Sequence, residues 1–465
     1  MTLSERLAAL PPPLSIAGAR RTLREALLRG AARVVAIDDD PTGTQTVHGV
    51  RVLMRWTRDA LGPALSSDEP VFYLSTNSRS LPASEAGGLA AEVGRNLRAA
   101  GAREGIRVLA ASRSDSTLRG HFPAEVDALV AELPGPIDGV LLVPALFEAG
   151  RCTIDNVHWV DLGSRLVPAH ETEFAGDPDF GYHHGDLREW IEEKTLGRIR
   201  ADTVACISLE DIRRGGPERV AGILDRQRGG APVVVNAACD QDLEVVALGA
   251  EAVEQAGRKL VYRTGASFVK VRAGIEDRPL LTRAEIAPAR PAGLVVAGSY
   301  VARTTAQIDC LRGSGRVHAV EVSPADLLAP DRRPAEIRRA AEQASRSIQG
   351  GRTALVYTSR ERRDSADFLS AGRGIMTGLC DIVRGIDARP GFVVAKGGIT
   401  SIAVATEALQ CAEALVMGQI LRGVPVWKLG GGCVWSDTPY VVFPGNVGDS
   451  SSLRAAVEIL EGERQ

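Results

Sequence analysis

Three consecutive aspartates, Asp38, Asp39 and Asp40, are the most concentrated source of chemistry in this 465-residue sequence. They follow an apolar run and precede a turn that contains Thr42 and Gly43. Because ionised carboxylates repel one another strongly in a dry core, they need water, a cation, basic side chains or ligand hydroxyls to offset them. An Asp-rich turn is more commonly a solvated acidic loop, but the hydroxyls and the flexible glycine crowded into this turn favour a binding site.

Further polar segments follow apolar runs in the first half of the chain, at residues 75–79, 113–121 and 148–153. They carry the charged residues Arg79, Arg113, Asp115, Arg119 and Arg151. A guanidinium fork holds a carboxylate in two-point geometry, while carboxylates and Ser or Thr hydroxyls hold ligand hydroxyls. Each arginine alone fits a surface ion pair. Several such loops at successive strand ends together indicate a ligand with one carboxylate and several hydroxyls, such as a sugar acid.

Glycine-rich turns in the second half indicate a different ligand. Residues 298–307, 396–401 and 444–448 each follow an apolar run. Glycine lets a backbone approach a bound group closely, and free N–H groups at a helix start hold phosphate oxygens. Thr400 or Ser401 could instead simply cap a helix. The turns together favour a nucleotide site, which is not a P-loop because no Walker A pattern is present.

Apolar runs alternate with helical patterns along the chain, which predicts an α/β fold with mainly parallel sheets flanked by helices. Predicted strands of the first half include residues 71–74, 108–110, 139–143 and 268–271. A second series of strands follows the Pro- and Arg-rich segment 287–292, which is typical of a linker. We therefore expect two domains, residues 1–290 and 291–465, with the active site in the cleft between them.

Composition excludes several classes of function. The net charge of −3 gives no electrostatic footprint for nucleic acid or an anionic membrane. The seven cysteines stand singly, without metal-ligand or redox spacing, which favours reduced thiols in a cytoplasmic protein. No apolar run is long enough to span a bilayer. His183 and His184 lie in a segment, residues 170–185, predicted as a long surface excursion or lid, and without a third ligand they predict no zinc site.

The polar motifs of both halves resemble those of the four-carbon acid sugar kinases, and the resemblance covers nearly the whole chain. The family's Asp-Asp-x-Thr-Gly turn is matched by Asp39–Gly43, and its Thr-x-Ser-Arg element by Thr76–Arg79. Its Lys-x-Asp-Ser-Thr-Leu-Arg-Gly-Asn element is matched by Arg113–His121, with Arg at the first position and His at the last. The family's late Lys-Ser-Gly-Asn-Phe-Gly element is present as Phe443–Gly448, without its lysine.

The resemblance implies that the N-terminal domain binds the sugar acid and the C-terminal domain binds ATP. It implies phosphorylation at the terminal hydroxyl of threonate, erythronate or 3-oxo-tetronate, while related members take a branched acid such as 3-oxo-isoapionate. The candidate substrate-binding residues are Asp39, Asp40, Thr42, Gly43, Ser78, Arg79, Arg113, Ser116, Thr117 and Arg119. The candidate ATP-binding residues are Ser299, Thr304, Gln307, Gly397, Gly398, Thr400, Ser401, Gly445, Asn446 and Gly448.

Asp115 is the candidate catalytic residue, as the base or as the carboxylate that orients the acceptor hydroxyl. Arg113 and Arg119 flank it in sequence and should keep it ionised. We expect the clamp for the substrate carboxylate among Arg79, Arg113 and Arg119. We also expect Mg²⁺ to bridge the ATP phosphates, held largely by water and phosphate, with protein ligands that the sequence does not identify.

Two interpretations from other functional classes stay open. An NAD(P)-dependent oxidoreductase acting on a sugar acid fits the α/β pattern, although no Gly-x-Gly-x-x-Gly motif follows an early strand. A non-catalytic sugar-acid sensor fits the loss of the lysine beside Pro444, for which Lys396 or Lys428 is the candidate replacement. Self-association as a homo-oligomer is also open.

Overall fold

The computed structural model describes residues 2–298, 302–359 and 368–462. Its strands alternate with helices along most of the chain. The strands are β1 Ala32–Asp38, β2 Val50–Leu53, β3 Val71–Ser75, β4 Arg107–Arg113, β5 Gly139–Val143, β6 Arg151–Ile154, β7 Val157–Asp161, β8 Leu166–Pro168, β9 Ala205–Ile207, β10 Ala231–Val235, β11 Leu260–Thr264, β12 Leu294–Ala297, β13 Val317–Val322, β14 Thr353–Thr358, β15 Val393–Lys396, β16 Glu413–Leu421, β17 Val424–Leu429 and β18 Pro439–Phe443.

Most of the helices lie between successive strands in the sequence. The helices are α1 Leu3–Ala8, α2 Ala19–Arg29, α3 Arg58–Leu65, α4 Ala83–Glu104, α5 Ala124–Glu132, α6 Leu187–Lys194, α7 Leu209–Arg213, α8 Gly216–Leu224, α9 Asp240–Gln255, α10 Ala266–Arg272, α11 Arg283–Ile286, α12 Ala302–Gly313, α13 Pro324–Leu328, α14 Arg333–Gln349, α15 Phe368–Arg384, α16 Gly398–Ala403 and α17 Ser452–Glu461. No helix in the described ranges has both the length and the apolar character needed to cross a membrane.

The chain divides into two compact units. The first contains Met1–Thr46 and Arg55–Asp277, and the second contains Val47–Met54 and Arg278–Gln465. The change of unit therefore falls before the linker-like segment near residue 290. Strand β2 belongs to the second unit although it lies early in the chain, because it pairs antiparallel with β16. Sequence alone gives little sign of this crossing, since such pairing depends on a strand hundreds of residues away.

A parallel sheet forms the centre of the first unit, in the order β3-β1-β4-β11-β5-β10-β9. Its strands are largely buried Val, Leu, Ile and Ala, as expected when helices cover both faces of a parallel sheet. The register places Asp38 opposite both Ser75 and Arg113. Because these strands run in one direction, their carboxyl ends, with the polar turns that follow, lie along one edge.

The sheet of the second unit has the order β13-β14-β12-β15-β18-β17-β16-β2. The first five strands are parallel, and β17, β16 and β2 continue the sheet in antiparallel pairs. Lys396, the last residue of β15, lies directly opposite Phe443, the last residue of β18. The predicted fold class, an α/β protein with mainly parallel sheets flanked by helices, is confirmed.

One predicted strand is wrong, because residues 268–271 lie inside helix α10. Every residue of this helix is buried, so its apolar run has no amphipathic period and cannot be told from a buried strand by pattern alone. The true strand, β11, directly precedes the helix and was not predicted. Its last two residues, Arg263 and Thr264, shorten its apolar run.

Candidate active site

Asp38 is the last residue of strand β1, and Arg113 is the last residue of β4. The two side chains form a buried ion pair. Arg113 Nη1 donates to Asp38 Oδ1 at 3.0 Å. Burial raises the pKa of the Asp38 carboxyl to about 7, with the charges of Asp39 and Asp40 adding to the effect and Arg113 opposing it. A Cβ placed on Gly43 would lie 2.1 Å from Asp38 Oδ2. The turn therefore requires glycine at this position, because any side chain would collide with the carboxylate.

The next two aspartates share one guanidinium group. Arg79 donates to both carboxylate oxygens of Asp39, and its Nη1 donates to Asp40 Oδ2 at 3.1 Å. Ser114 Oγ also donates to Asp39. Asp40 Oδ1 accepts from the backbone N–H and the hydroxyl of Thr42 at 2.8 and 2.7 Å. Burial alone would raise the pKa of Asp40, but Arg79 and these hydrogen bonds lower it, so the carboxylate stays ionised at neutral pH.

Asp115 lies in the loop that follows β4, the Asp115 loop (residues 115–121). Arg119 Nε donates to Asp115 Oδ2 at 2.7 Å, and Thr117 Oγ1 donates to the same oxygen. Burial would raise the pKa of Asp115, but Arg79, Arg119 and Thr117 hold it well below its usual range. Asp115 is therefore a firmly ionised carboxylate with two protein donors on one oxygen. This leaves the other oxygen, Oδ1, as the atom that can accept a hydrogen bond from a ligand.

The segment predicted as a surface excursion or lid, residues 170–185, packs on the Asp115 loop and is called the cover segment. Its Tyr182 is buried, and the Tyr182 hydroxyl donates to the backbone carbonyl of Thr117 at 2.9 Å. His158 of strand β7 supports the same loop, because its Nε2 bonds the backbone carbonyl of Ser116 at 2.7 Å. These buried contacts fix the backbone of the loop on either side of Thr117.

Other side chains of the cover segment hold Arg119. Asp177 Oδ2 lies 3.5 Å from Arg119 Nη1, and the Phe174 ring centroid lies 5.2 Å from the guanidinium carbon. Phe180 meets the ring of His121 edge-on, with 4.9 Å between the ring centroids. The histidine at the last position of the loop motif is therefore packed by the cover segment.

Two buried ionisable residues of this region were not predicted from the sequence. Ser78 Oγ donates to Glu125 on α5, and burial, with a smaller contribution from the charge of Asp39, raises the pKa of Glu125 to about 7. Burial lowers the pKa of Arg263 on β11, and its Nη1 has no hydrogen-bond partner in the described ranges. Arg263 follows the apolar run 260–262 and lies two residues before Gly265, so a sequence signal existed. Glu125 lies inside a helical pattern and gave none.

The carboxyl edge of the first unit thus offers carboxylate oxygens and guanidinium groups side by side. Carboxylates accept hydrogen bonds from hydroxyls, and guanidinium groups bind carboxylates. Within the part of the chain that the structure describes, no group of three or more His, Cys, Asp or Glu side chains could hold a metal ion. The arrangement fits a polyhydroxylated acid.

The second unit carries a glycine turn, residues 444–448, after strand β18. Consecutive backbone carbonyls of this turn accept hydrogen bonds from side chains. The pairs are Lys396 Nζ with Pro444 O (2.5 Å) and Gly445 O (3.2 Å), Arg303 Nη1 with Asn446 O (2.5 Å), and Gln307 Nε2 with Val447 O (3.0 Å). The C=O and N–H groups of one trans peptide point in opposite directions. Each bound carbonyl therefore turns the next N–H group away from these side chains.

The N–H groups of residues 445–448 have no acceptor among the residues that the structure describes. Successive free N–H groups form a concave nest that binds anions. Gly448 has a φ of +79°, and a Cβ there would collide with a side chain of α17. The glycine turn therefore offers a run of N–H groups, without acceptors in the described ranges, of the kind that binds phosphate oxygens, and it has no Walker A sequence.

The predicted residues Thr304 and Gln307 are fully buried on α12. The hydroxyl of Thr304 lies 3.5 Å from the carbonyl of Gly445. These two side chains therefore support the glycine turn from within the protein, whereas Asn446 contributes a backbone N–H to the nest. Ser299 lies outside the described residues.

The second predicted turn of this unit joins β15 to α16. Gly397 N–H donates to the carbonyl of Phe443 at 2.8 Å, which links this turn to the base of the glycine turn. Helix α16 begins at Gly398, and Thr400 and Ser401 are both buried. The hydroxyl of Ser401 donates to the carbonyl of Gly397 at 2.8 Å, so this hydroxyl stabilises the turn itself.

Family models match both halves of the chain. A model described as a sugar-binding N-terminal domain matches residues 34–272, and a model described as a nucleotide-binding C-terminal domain matches residues 294–453.

Curated relatives align with this chain over most of their length. The D-erythronate kinase of Heliobacterium modesticaldum is 25% identical over 455 residues, which cover 92% of this chain and 97% of the relative. The 3-oxo-tetronate kinase of Methylobacterium radiotolerans is 30% identical over 410 residues, covering 85% of this chain and 92% of the relative. The D-threonate kinase of Salmonella typhimurium is 27% identical and covers 75% of each chain.

Solved structures share the fold. A protein from Salmonella typhimurium LT2 matches with a TM-score of 0.67 and 19% identity, over 92% of this chain and 98% of that chain. A Haemophilus influenzae protein matches with a TM-score of 0.63 and 18% identity, over 92% of this chain and all of that chain, 100%.

An α/β chain with a sugar-binding domain followed by a nucleotide-binding domain, and with sugar-acid kinases as relatives, falls in the class of carbohydrate-acid kinases. The chain belongs to the four-carbon acid sugar kinase family. The family and the enzyme class predicted from the sequence are thereby confirmed.

Proposed function

We propose that this enzyme transfers the terminal phosphate of ATP to the terminal hydroxyl of a four-carbon sugar acid of the threonate, erythronate or 3-oxo-tetronate type. The observation that carries the proposal is the pair of unlike polar surfaces. The first unit offers carboxylates beside guanidinium groups, which suit hydroxyls and a carboxylate. The second unit offers free backbone N–H groups, which suit phosphate oxygens. The names of the relatives support this class of substrate.

Asp115 orients the acceptor hydroxyl in this proposal. A strongly lowered pKa makes it a weak base, so holding the hydroxyl by a hydrogen bond is its main contribution. Phosphoryl transfer through a loose transition state asks little more of the nucleophile than correct placement. Arg119 and the cover segment keep Asp115 in place.

The substrate hydroxyls bind at Asp40, whose side chain is 25% exposed, while Asp39, only 4% exposed, holds the Arg79 guanidinium group. The arginines that bind the substrate carboxylate must be ones that a ligand can reach. The Arg113 side chain is only 4% exposed, against 17% for Arg79 and 25% for Arg119. Arg79 and Arg119 therefore form the clamp, and Arg113 serves the buried structure beneath it.

The ATP phosphates bind at the N–H groups of residues 445–448, beside the turn that contains Gly397. Mg²⁺, when bound, bridges phosphate oxygens and neutralises their charge, held largely by phosphate and water. We place the reaction in the cytoplasm, where reduced cysteines such as the seven of this chain are stable.

A coupled assay for ADP formation tests this proposal. Purified enzyme is supplied with ATP and Mg²⁺ and with D- and L-threonate, D- and L-erythronate, their 3-oxo forms and 3-oxo-isoapionate. We expect ADP with at least one four-carbon acid and a product that carries phosphate on its terminal carbon, as read by ³¹P and ¹³C NMR. NAD(P)-dependent turnover, or binding of the acids without any ADP formation, would favour an oxidoreductase or a sensor instead.

A further inference from the structure

Lys396 has an unusual place for a charged residue. It ends a central parallel strand, its side chain is 0% exposed, and its ammonium group lies 4.4 Å from the centroid of the Phe443 ring. Its hydrogen bonds go to the carbonyls of Pro444 and Gly445. In the described ranges no carboxylate forms an ion pair with it.

A buried cation without a carboxylate partner is costly, because neutral carbonyls replace only part of its hydration. Burial, with a smaller contribution from the charge of Arg303, lowers the pKa of Lys396 to about 7. Arg303 is a second cation whose hydrogen bond goes to a carbonyl of the same turn. Buried Lys396 and exposed Arg303 both bring positive charge to the carbonyl side of one turn, and an anion bound to its N–H groups stabilises that charge.

Lys396 cannot touch a ligand itself, because it lies beneath the turn. It acts on two peptide groups. Its bond to Pro444 O sets the direction of the Gly445 N–H, and its bond to Gly445 O sets the direction of the Asn446 N–H. Half of the outward nest therefore depends on one side chain.

We propose that Lys396 is a positioning residue for nucleotide phosphates, which holds the Gly445 and Asn446 N–H groups in their outward orientation. The inference rests on the proposed nucleotide site in the glycine turn. It also decides between the two lysines suggested by the sequence. Lys428 is 47% exposed, and its Nζ pairs with Asp437 at 3.0 Å, with no hydrogen bond from it to the glycine turn among the described residues.

The test compares Lys396→Met, Lys396→Gln and Lys428→Met in the full-length enzyme. Calorimetry measures the binding of ADP and of adenosine, which share a nucleoside but differ in phosphate. We expect Lys396→Met to weaken ADP binding about 10- to 100-fold, as for loss of charge-assisted hydrogen bonds, and to leave adenosine binding near that of the wild type. Lys396→Gln keeps N–H donors without the charge, so its ADP affinity should fall between those of the wild type and Lys396→Met.

Several results would overturn the inference. One is wild-type ADP affinity in Lys396→Met, and another is an equal loss of ADP and adenosine binding, which indicates general damage to the unit. If Lys396→Met does not fold, a Lys396→Gln variant that folds and binds ADP as the wild type does also refutes it. A larger ADP defect in Lys428→Met would assign the role to the other lysine. ADP formation by the wild type tests the proposed function separately, so the two can fail independently.

Discussion

At the acidic edge of the first unit, charged side chains pair with one another, whereas at the glycine turn of the second unit they pair with the backbone. Arg79 binds Asp39 and Asp40, and Arg119 binds Asp115, so this edge presents a fixed pattern of side-chain oxygens and guanidinium groups. Lys396 and Gln307 bind carbonyls instead, so this turn presents peptide N–H groups. Side-chain patterns can be varied to suit one acid, while a backbone nest suits any phosphate.

The comparison predicts that substitutions in the two regions change different kinetic constants. Changes at the acidic edge should act on the acid or on the transfer step. Changes behind the glycine turn should act on the nucleotide.

Asp115→Asn gives the largest expected effect. The amide keeps the size of the carboxylate but loses its charge and one acceptor, so the acceptor hydroxyl is held less accurately and kcat should fall about 10²-fold. The KM for ATP should change little, because Asp115 belongs to the other region. Steady-state assays with each substrate varied in turn measure both effects. Turnover close to that of the wild type would remove Asp115 from its role and make Asp39 or Asp40 the next candidate.

Gln307→Leu tests the opposite region. The substitution removes the donor that holds Val447 O, so the KM for ATP should rise about tenfold or more, as for a lost buried hydrogen bond that leaves its acceptor unpaired. The KM for the acid should stay the same. The control is the same substitution at the exposed Gln255 of α9 in the first unit, which should leave both constants unchanged. A rise in the KM for the acid alone would break the comparison.

Arg119→Lys and Arg113→Lys test which arginine of the acidic edge binds the substrate carboxylate. Both keep the charge and lose the planar fork. Since Arg119 is the more exposed of the two, Arg119→Lys should raise the KM for the acid about tenfold. Arg113→Lys should instead lower the free energy of unfolding by about 1–3 kcal/mol, because its partner Asp38 is buried. Denaturant titrations beside the kinetics separate these outcomes, and the reverse assignment would place the clamp at Arg113.

Glu125→Gln gives the smallest effect, seen only in the dependence of stability on pH. Burial raises the pKa of Glu125 from 4.5 to about 7, so between these values the native state binds more protons than the unfolded state. Stability therefore falls as pH rises through this window. The variant, which stays neutral, should match the wild type near pH 5 and exceed it by about 1–3 kcal/mol near pH 8. Thermal melts at both pH values measure this, with the exposed Glu85→Gln as control. Equal stability of the variant and the wild type at pH 8 would show that burial does not raise the pKa of Glu125.

Much of the acidic edge was predictable from local sequence. In a parallel sheet, every polar turn that follows a strand lies at the same edge, so Asp39, Arg79, Arg113 and Asp115 could be assigned to one region before any pairing was known. Their individual partners were not predictable. Arg113 pairs with Asp38, while Arg79 bridges Asp39 and Asp40. This choice of partners depends on side-chain directions that the sequence pattern does not specify.

Less of the glycine turn could be predicted from the sequence. Its glycines indicated a backbone site, but the role of Lys396 depends on its register opposite Phe443, which lies on a strand far away in sequence. The same reason explains why β2 was not assigned to the second unit. Helix α10 was missed because complete burial erases the helical period.

The most direct test of the account is amide hydrogen exchange with one ligand at a time. ADP alone should slow exchange at the N–H groups of residues 445–448, which have no acceptor among the residues that the structure describes, and leave the Asp115 loop unchanged. A four-carbon acid alone should slow exchange in the Asp115 loop and leave residues 445–448 unchanged. Protection of the Asp115 loop by ADP, with no effect on residues 445–448, would contradict the assignment of the two ligands to the two units.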